Sequence, residues 1–177
     1  MRFVHESRIA ARPEAVFAFH ESPGALQRLT PPGARVSVIE GGTSIRPGTR
    51  VVLAVGLGPI RVRWIAEHTE YQPGRMFTDR QVHGPFASWS HRHLFHDDGQ
   101  GGTWLRDEVE FEPPLGFLGR LAAGHLLMST LRKMFEYRHE ITRRIVEAGD
   151  DSLEGHPDPT KTPGVGAPSG TTAGPRR

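Results

Sequence analysis

A chain of 177 residues, 36 % hydrophobic and 24 % charged, has room for one domain with a sizeable core and is neither a membrane protein nor disordered throughout. Its formal net charge of +2 leaves no electrostatic footprint for nucleic acid, and the absence of cysteine excludes disulfides, thiolate metal sites and cysteine nucleophiles. No apolar run approaches the ~20 residues of a bilayer span, and the N-terminal segment lacks the apolar region of a signal peptide, so a cytoplasmic location is expected.

Along the chain, Arg2–Ala10 places Phe3, His5, Ser7 and Ile9 on one side at period two, which predicts a strand. Arg12-Pro13-Glu14 then opens a short helix carrying Val16, Phe17 and Phe19, because proline suits a first turn and Glu14 complements the helix dipole. His20 at its end is expected to serve the terminal carbonyls rather than chemistry. Ser22-Pro23 is expected to cap and start a second short helix reaching Leu29, which Thr30-Pro31-Pro32-Gly33 stops. Strands are predicted near 35–40, 49–56, 60–69, 75–82, 87–96 and 103–112, divided by Gly-, Pro- and Asp-rich turns. Connections this short favour antiparallel neighbours.

From Phe117 to Ala148 the period becomes helical, with Phe117, Leu121, Met128, Leu131, Phe135, Ile141 and Ile145 as the apolar stripe. Gly119 and Gly124 predict a kink or loose start. Composition shifts again at residue 149. The segment 149–177 is rich in Gly, Pro, Ser and Thr, with Leu153 and Val165 as its large apolar residues, and is expected to be a disordered tail. The expected fold is thus α+β over residues 1–148. A seven-stranded antiparallel sheet presents one face to a long C-terminal helix, and two short helices lie between strands one and two.

This order resembles the helix-grip fold of the START/Bet v 1-like (SRPBCC) superfamily. At the sequence level it is most similar to bacterial ligand-binding SRPBCC proteins of polyketide cyclase/dehydrase-like type. The segments that carry the likeness are Ala11 to His20, Leu29-Thr30-Pro31-Pro32 and Gly58-Pro59-Ile60, and above all Phe77 to His93 (FTDRQVHGPFASWSHRH). Asp107, Pro114, Gly116 and Phe135-Glu136-Tyr137-Arg138 complete it. The resemblance implies a cavity between sheet and long helix. It implies no reaction, since members include carriers, sensors, cyclases and accessory proteins. Some relatives are fused to sugar-nucleotide epimerase-like domains.

Alternation within the strands puts Trp89, His91, His93 and Phe95 on one face, opposite Ser90, Arg92, Leu94 and His96. On the next strand Asp107 shares a face with Thr103, Leu105, Val109 and Phe111, and hairpin pairing sets it opposite His91 or His93, a register the sequence leaves open. Phe77, Asp79 and Gln81 occupy the matching face one strand earlier, and Trp64 and His68 the face before that. Arg61 and Arg63 read as a solvated face, and Leu57 as an ordinary turn residue.

Three uses of this surface compete: a polar network that fixes the sheet, a polar anchor within an apolar ligand pocket, and chemistry. Chemistry would use an Asp-oriented His as general acid/base, or the His-x-His pair with Asp107 or Asp79 around a metal, although that spacing alone is a weak sign. Arg138 on the long helix reads as a salt bridge to a sheet carboxylate or as an anchor for an acidic ligand. The expected function is binding of a hydrophobic or amphipathic small molecule. Trp64, Phe77, Trp89, Phe95, Met128 and Phe135 would give apolar contact, and His68, Asp79, Gln81, His91, His93, Asp107 and Arg138 polar contact. No cofactor or metal is expected. The alternatives are a cyclase/dehydratase with His91 or His93 as base oriented by Asp107, and an interaction module whose surface or tail docks an epimerase-like enzyme.

Overall fold

The computed structural model describes residues 1–57, 59–114 and 116–149. Seven strands are formed: β1 (Arg2–Ile9), β2 (Val36–Gly41), β3 (Arg50–Leu57), β4 (Ile60–Gln72), β5 (Met76–His83), β6 (Ser88–Asp97) and β7 (Thr103–Glu112). The helices are α1 (Pro13–Glu21), α2 (Ala25–Arg28) and α3 (Gly116–Glu147). Strand order is β1-β7-β6-β5-β4-β3-β2, and every pair is antiparallel. The sheet therefore meanders from β2 to β7, and β1 closes beside β7. The α1–α2 segment carries the chain from one sheet edge to the other. The arrangement is the helix-grip fold expected from the sequence. The expected tail from residue 150 on lies outside the described residues.

Register shifts in β4 at Ile65/Ala66 and at His68/Glu70 bend the longest strand, as bulges do, and turn the sheet's inner face concave. Two apolar clusters occupy that face. Phe3, Trp89, Val109, Phe111, Leu131 and Phe135 form one, and Ile9, Val16, Phe17, Phe77, Phe95 and Leu105 the other. Along β6 the inward residues run Trp89, His91, His93, Phe95. The two histidines thus fall between an aromatic residue of each cluster.

Three local expectations are corrected. The second helix does not start on Ser22-Pro23 but at Ala25, behind Gly24 in a left-handed conformation (φ 79°). Ser22 instead closes α1, its hydroxyl and backbone N–H both donating to the Phe19 carbonyl. Leu121 is not on the buried stripe of α3; it is 76 % exposed. Farther along the same helix the buried residues are His139 and Thr142, while Ile141 and Ile145 are half-buried. The stripe follows Leu131, Phe135 and His139 at steps of four, so its continuation is polar.

Candidate functional site

Cross-strand register builds the site in two adjacent rows. In one, His68 pairs with Asp79, Asp79 with His91, and His91 with Val109. In the next, Phe77 pairs with His93, His93 with Asp107, and Asp107 with His5. Paired residues point to the same face, so two carboxylates and two imidazoles are set diagonally to one another. The register that the sequence leaves open thus puts His93 directly opposite Asp107, yet both rings reach that carboxylate.

Asp107 is 3 % exposed and is surrounded by three histidines. His91 Nε2 donates to its Oδ1 at 2.9 Å, and His139 Nε2 donates to its Oδ2 at 2.6 Å. His93 Nδ1 lies 2.7 Å from Oδ1, in close contact but without a well-aligned hydrogen bond. Asp79 lies on the other side of the pair, its Oδ2 3.5 Å from His91 Nδ1 and 3.6 Å from His93 Nε2. His139, which the sequence reading missed, also meets Ser7 Oγ at 2.7 Å through Nδ1. It ties α3 to β1 and β7 in one step.

Burial works against charge on Asp107, Asp79 and His91, and their partners outweigh it. The Asp107 carboxyl is held well below the usual range against desolvation by the His93 charge and by the hydrogen bonds of His139 and His91. Asp79 is depressed against burial in the same way by His91 and His93. For His91, desolvation is outweighed by Asp107 and Asp79, and its pKa rises to about 9. His20 has no carboxylate partner. Burial, aided by the His93 charge, lowers its pKa to about 3, and its Nδ1–H donates to the Val16 carbonyl at 2.8 Å. It serves the carbonyls of α1, and its ring also faces the cavity. Burial lowers the pKa of His68 as well.

The cavity has a volume of ≈ 160 Å³. The strands supply its polar wall: His68, Asp79, His91 and His93, with Phe77, Trp64 and Trp89 beside them. The rest of the lining is largely apolar, from Ala25, Leu26 and Leu29 around α2, Ile45 of the β2–β3 loop, and Val51, Leu53 and Val55 of β3, where Leu53 pairs with Trp64 in the sheet. The long helix lends it Met134 and Arg138. The cavity is thus lidded mainly by α1, α2 and the loop at residues 42–45, not by α3 alone. Strand β3 reads as an uninterrupted apolar run, so its inward residues carried no signal in the sequence.

Arg138 makes no ion pair among the described residues. Its guanidinium lies 5.4 Å from the Phe135 ring centre, and its buried Nε has no hydrogen-bond partner. Burial lowers its pKa, opposed by the charges of Asp107 and Asp79. The helix-to-sheet salt bridge expected for it is therefore not formed. Five further candidates lie off the cavity lining. Gln81 is held by the β5–β6 turn, where its amide donates to the Phe86 carbonyl at 2.7 Å and accepts from the Phe86 N–H at 3.3 Å. Phe95 and Phe135 belong to the two apolar clusters, and Met128 packs against one of them. Asp107 stands behind the two rings rather than on the cavity surface.

A family model described as polyketide cyclase / dehydrase and lipid transport matches residues 1–145. Among solved structures, the TTHA0849 protein of Thermus thermophilus superposes with a TM-score of 0.63 at 20 % identity, covering 85 % of this chain and 100 % of that one. The Zhui aromatase/cyclase of Streptomyces sp. R1128 gives 0.65 at 16 % identity, covering 88 % and 99 %. A nucleoside-diphosphate sugar epimerase of Corynebacterium glutamicum gives 0.63 at 25 % identity, covering 82 % of this chain but 29 % of that one. No curated protein matches.

Proposed function

Because the chain belongs to the polyketide cyclase / dehydrase and lipid transport family, we propose that its cavity binds an amphipathic small molecule by an oxygen-bearing polar end and a ring-sized apolar end. One observation carries this reading: the cavity lining is amphipathic, with His68, Asp79, His91, His93 and Arg138 as polar groups and Leu26, Val51, Leu53 and Val55 among the apolar ones. Ligand pockets are commonly built this way, mostly apolar with a few convergent polar groups. Size supports it too, since an apolar cavity of about 150 Å³ accepts benzene. Arg138 Nε, buried without a partner, is a donor that a ligand carboxylate or carbonyl oxygen would satisfy.

A second reading has its own support. Each ring of the His91/His93 pair has one nitrogen on Asp107 and the other towards the cavity. A carboxylate that orients an imidazole is the arrangement of a general acid/base. On a β-hydroxy carbonyl compound, such a pair would take a proton from the carbon beside the carbonyl and give one to the β-hydroxyl as its C–O bond breaks, releasing water and leaving a C=C bond, which is dehydratase chemistry of the cyclase/dehydratase type.

The test is fluorescence of Trp64 and Trp89 in the full chain, titrated with small aromatic acids and aryl ketones, with native mass spectrometry of the freshly purified protein. Saturable quenching is expected in the wild type and is lost in Leu53→Trp, which fills the apolar side. Binding that is unaffected by Leu53→Trp, or no binding at all, overturns the proposal.

A further inference from the structure

Asp107 leaves each ring of the pair with one nitrogen free of it, Nδ1 on His91 and Nε2 on His93. Both face Asp79 Oδ2, at 3.5 and 3.6 Å. Those separations are too long for good hydrogen bonds. One donor atom from each of the three residues lies within 4.8 Å of the other two. Ligands held ~2.1 Å from a tetrahedral ion stand roughly 3.4 Å apart. The nitrogen-to-oxygen spacing here is that of a ligand set around an ion.

The surroundings point the same way. A metal-binding histidine usually gives its other ring N–H to a carboxylate, which fixes the ring and its tautomer. Here one carboxylate faces both rings from behind, at 2.9 Å for His91 and 2.7 Å for His93, and is itself held by His139 at 2.6 Å. Asp79 and Asp107 together carry two negative charges in a buried site, which match a divalent cation. A strand His-x-His alone is common by chance. Carboxylates on opposite sides of the pair, one towards the cavity and one behind, are a more demanding arrangement.

We infer that Asp79, His91 and His93 bind one divalent transition-metal ion, with Asp107 as the carboxylate that fixes both rings. Imidazole and carboxylate donors suit Zn²⁺ and its first-row neighbours rather than Mg²⁺ or Ca²⁺. Three protein ligands leave a coordination position open, as in catalytic rather than structural sites. That position faces the cavity, where Arg138 stands. An oxygen of a bound molecule would then lie between cation and guanidinium. The ion itself needs no such molecule, so this inference does not rest on the ligand proposed above.

The test is calorimetric titration of Zn²⁺ alone into the metal-free full chain, with any affinity tag removed. One equivalent is expected to bind. Asp79→Asn and His91→Ala should weaken it by more than ~10-fold, and Asp107→Asn by ~10–100-fold. His96→Ala, at an exposed histidine of the same strand, should leave it unchanged. Variants of a coupled buried network also perturb folding, so the deciding measurement uses the wild type. In imidazole ¹⁵N spectra, Zn²⁺ should shift His91 Nδ1 and His93 Nε2 while the other nitrogen of each ring stays protonated. Absence of saturable binding, binding that survives Asp79→Asn, or shifts confined to other histidines overturns the inference. Zinc binding without any small-molecule binding would leave the metal site standing and remove the ligand reading.

Discussion

His91 stands on the strand wall of the cavity and His20 on its helical lid, and their pKa values move in opposite directions. Two carboxylates contact His91 and raise it to about 9; His20 feels Asp107 only at a distance, and burial lowers it to about 3. The same contrast runs through both regions. The wall is set by backbone register, and its polar atoms are tied to one another across β5, β6, β7 and α3. The lid is two short helices and a loop, with Leu26 and Ile45 half-buried among its apolar side chains. Register is hard to alter without moving a whole strand, whereas a half-buried leucine can be exchanged locally. Under the proposed binding role, the wall would keep the polar groups fixed while the lid would set which molecule fits.

The most severe test of that contrast is a pair of truncations. Asp107→Ala leaves three histidines around an empty site and should cost about 3–5 kcal/mol of unfolding free energy. Leu26→Ala, at a half-buried lid position on α2, should cost roughly 1 kcal/mol and change ligand preference instead. Urea denaturation of both variants measures the difference. Comparable losses would mean that the lid is as integral to the fold as the wall.

The opposite shifts also predict a stability maximum near pH 6.5 for the metal-free protein. His91 binds its proton more tightly folded than unfolded, so its contribution is complete below about pH 6.5 and is lost as pH rises through about 9. His20 is the reverse. The unfolded chain takes up its proton first, so stability falls as pH drops from about 6.5 towards about 3. Asp79 and Asp107 add to that acid loss, because their depressed values give stability that is present above about pH 4 and disappears on protonation. Thermal melts across pH should show both limbs. His91→Asn should flatten the alkaline limb and His20→Asn the upper part of the acid one. A maximum above pH 9 would sink the assignment.

Much of the wall could be read from the chain, because alternation over Phe77–His83 and Trp89–Phe95 fixes which side chains share a face. What could not be read was register. The β6–β7 turn sets it, through the Asp98 carboxylate accepting from the Gln100 and Gly102 N–H groups, and no residue pattern in that turn announces the pairing. His139 was missed for another reason. A stripe drawn from apolar residues alone passes over a histidine, although the step of four from Leu131 and Phe135 lands on it. The apolar part of the cavity lining was least legible. Gly24 supplies a left-handed residue that delays α2 by two positions, and Val51, Leu53 and Val55 sit in a run with no alternation to separate their faces.

The smallest expected effect tests the turn that backs the aromatic end of the wall. Phe86, in the β5–β6 turn, packs its ring on Trp64 and Trp89, with centres 5.6 and 4.9 Å apart. Gln81 holds that turn by two hydrogen bonds to the Phe86 backbone. A Cβ added at Gly84 would collide with the Gln81 side-chain amide, a flexible end that can swing away. Gly84→Ala should thus act by expelling Gln81, and it and Gln81→Ala should each cost about 1 kcal/mol, the net worth of such bonds. The double variant should cost no more than either alone, because the same bonds cannot be lost twice. Additive losses in urea denaturation would show that Gly84 matters for its own backbone, and that the turn is not held through Gln81.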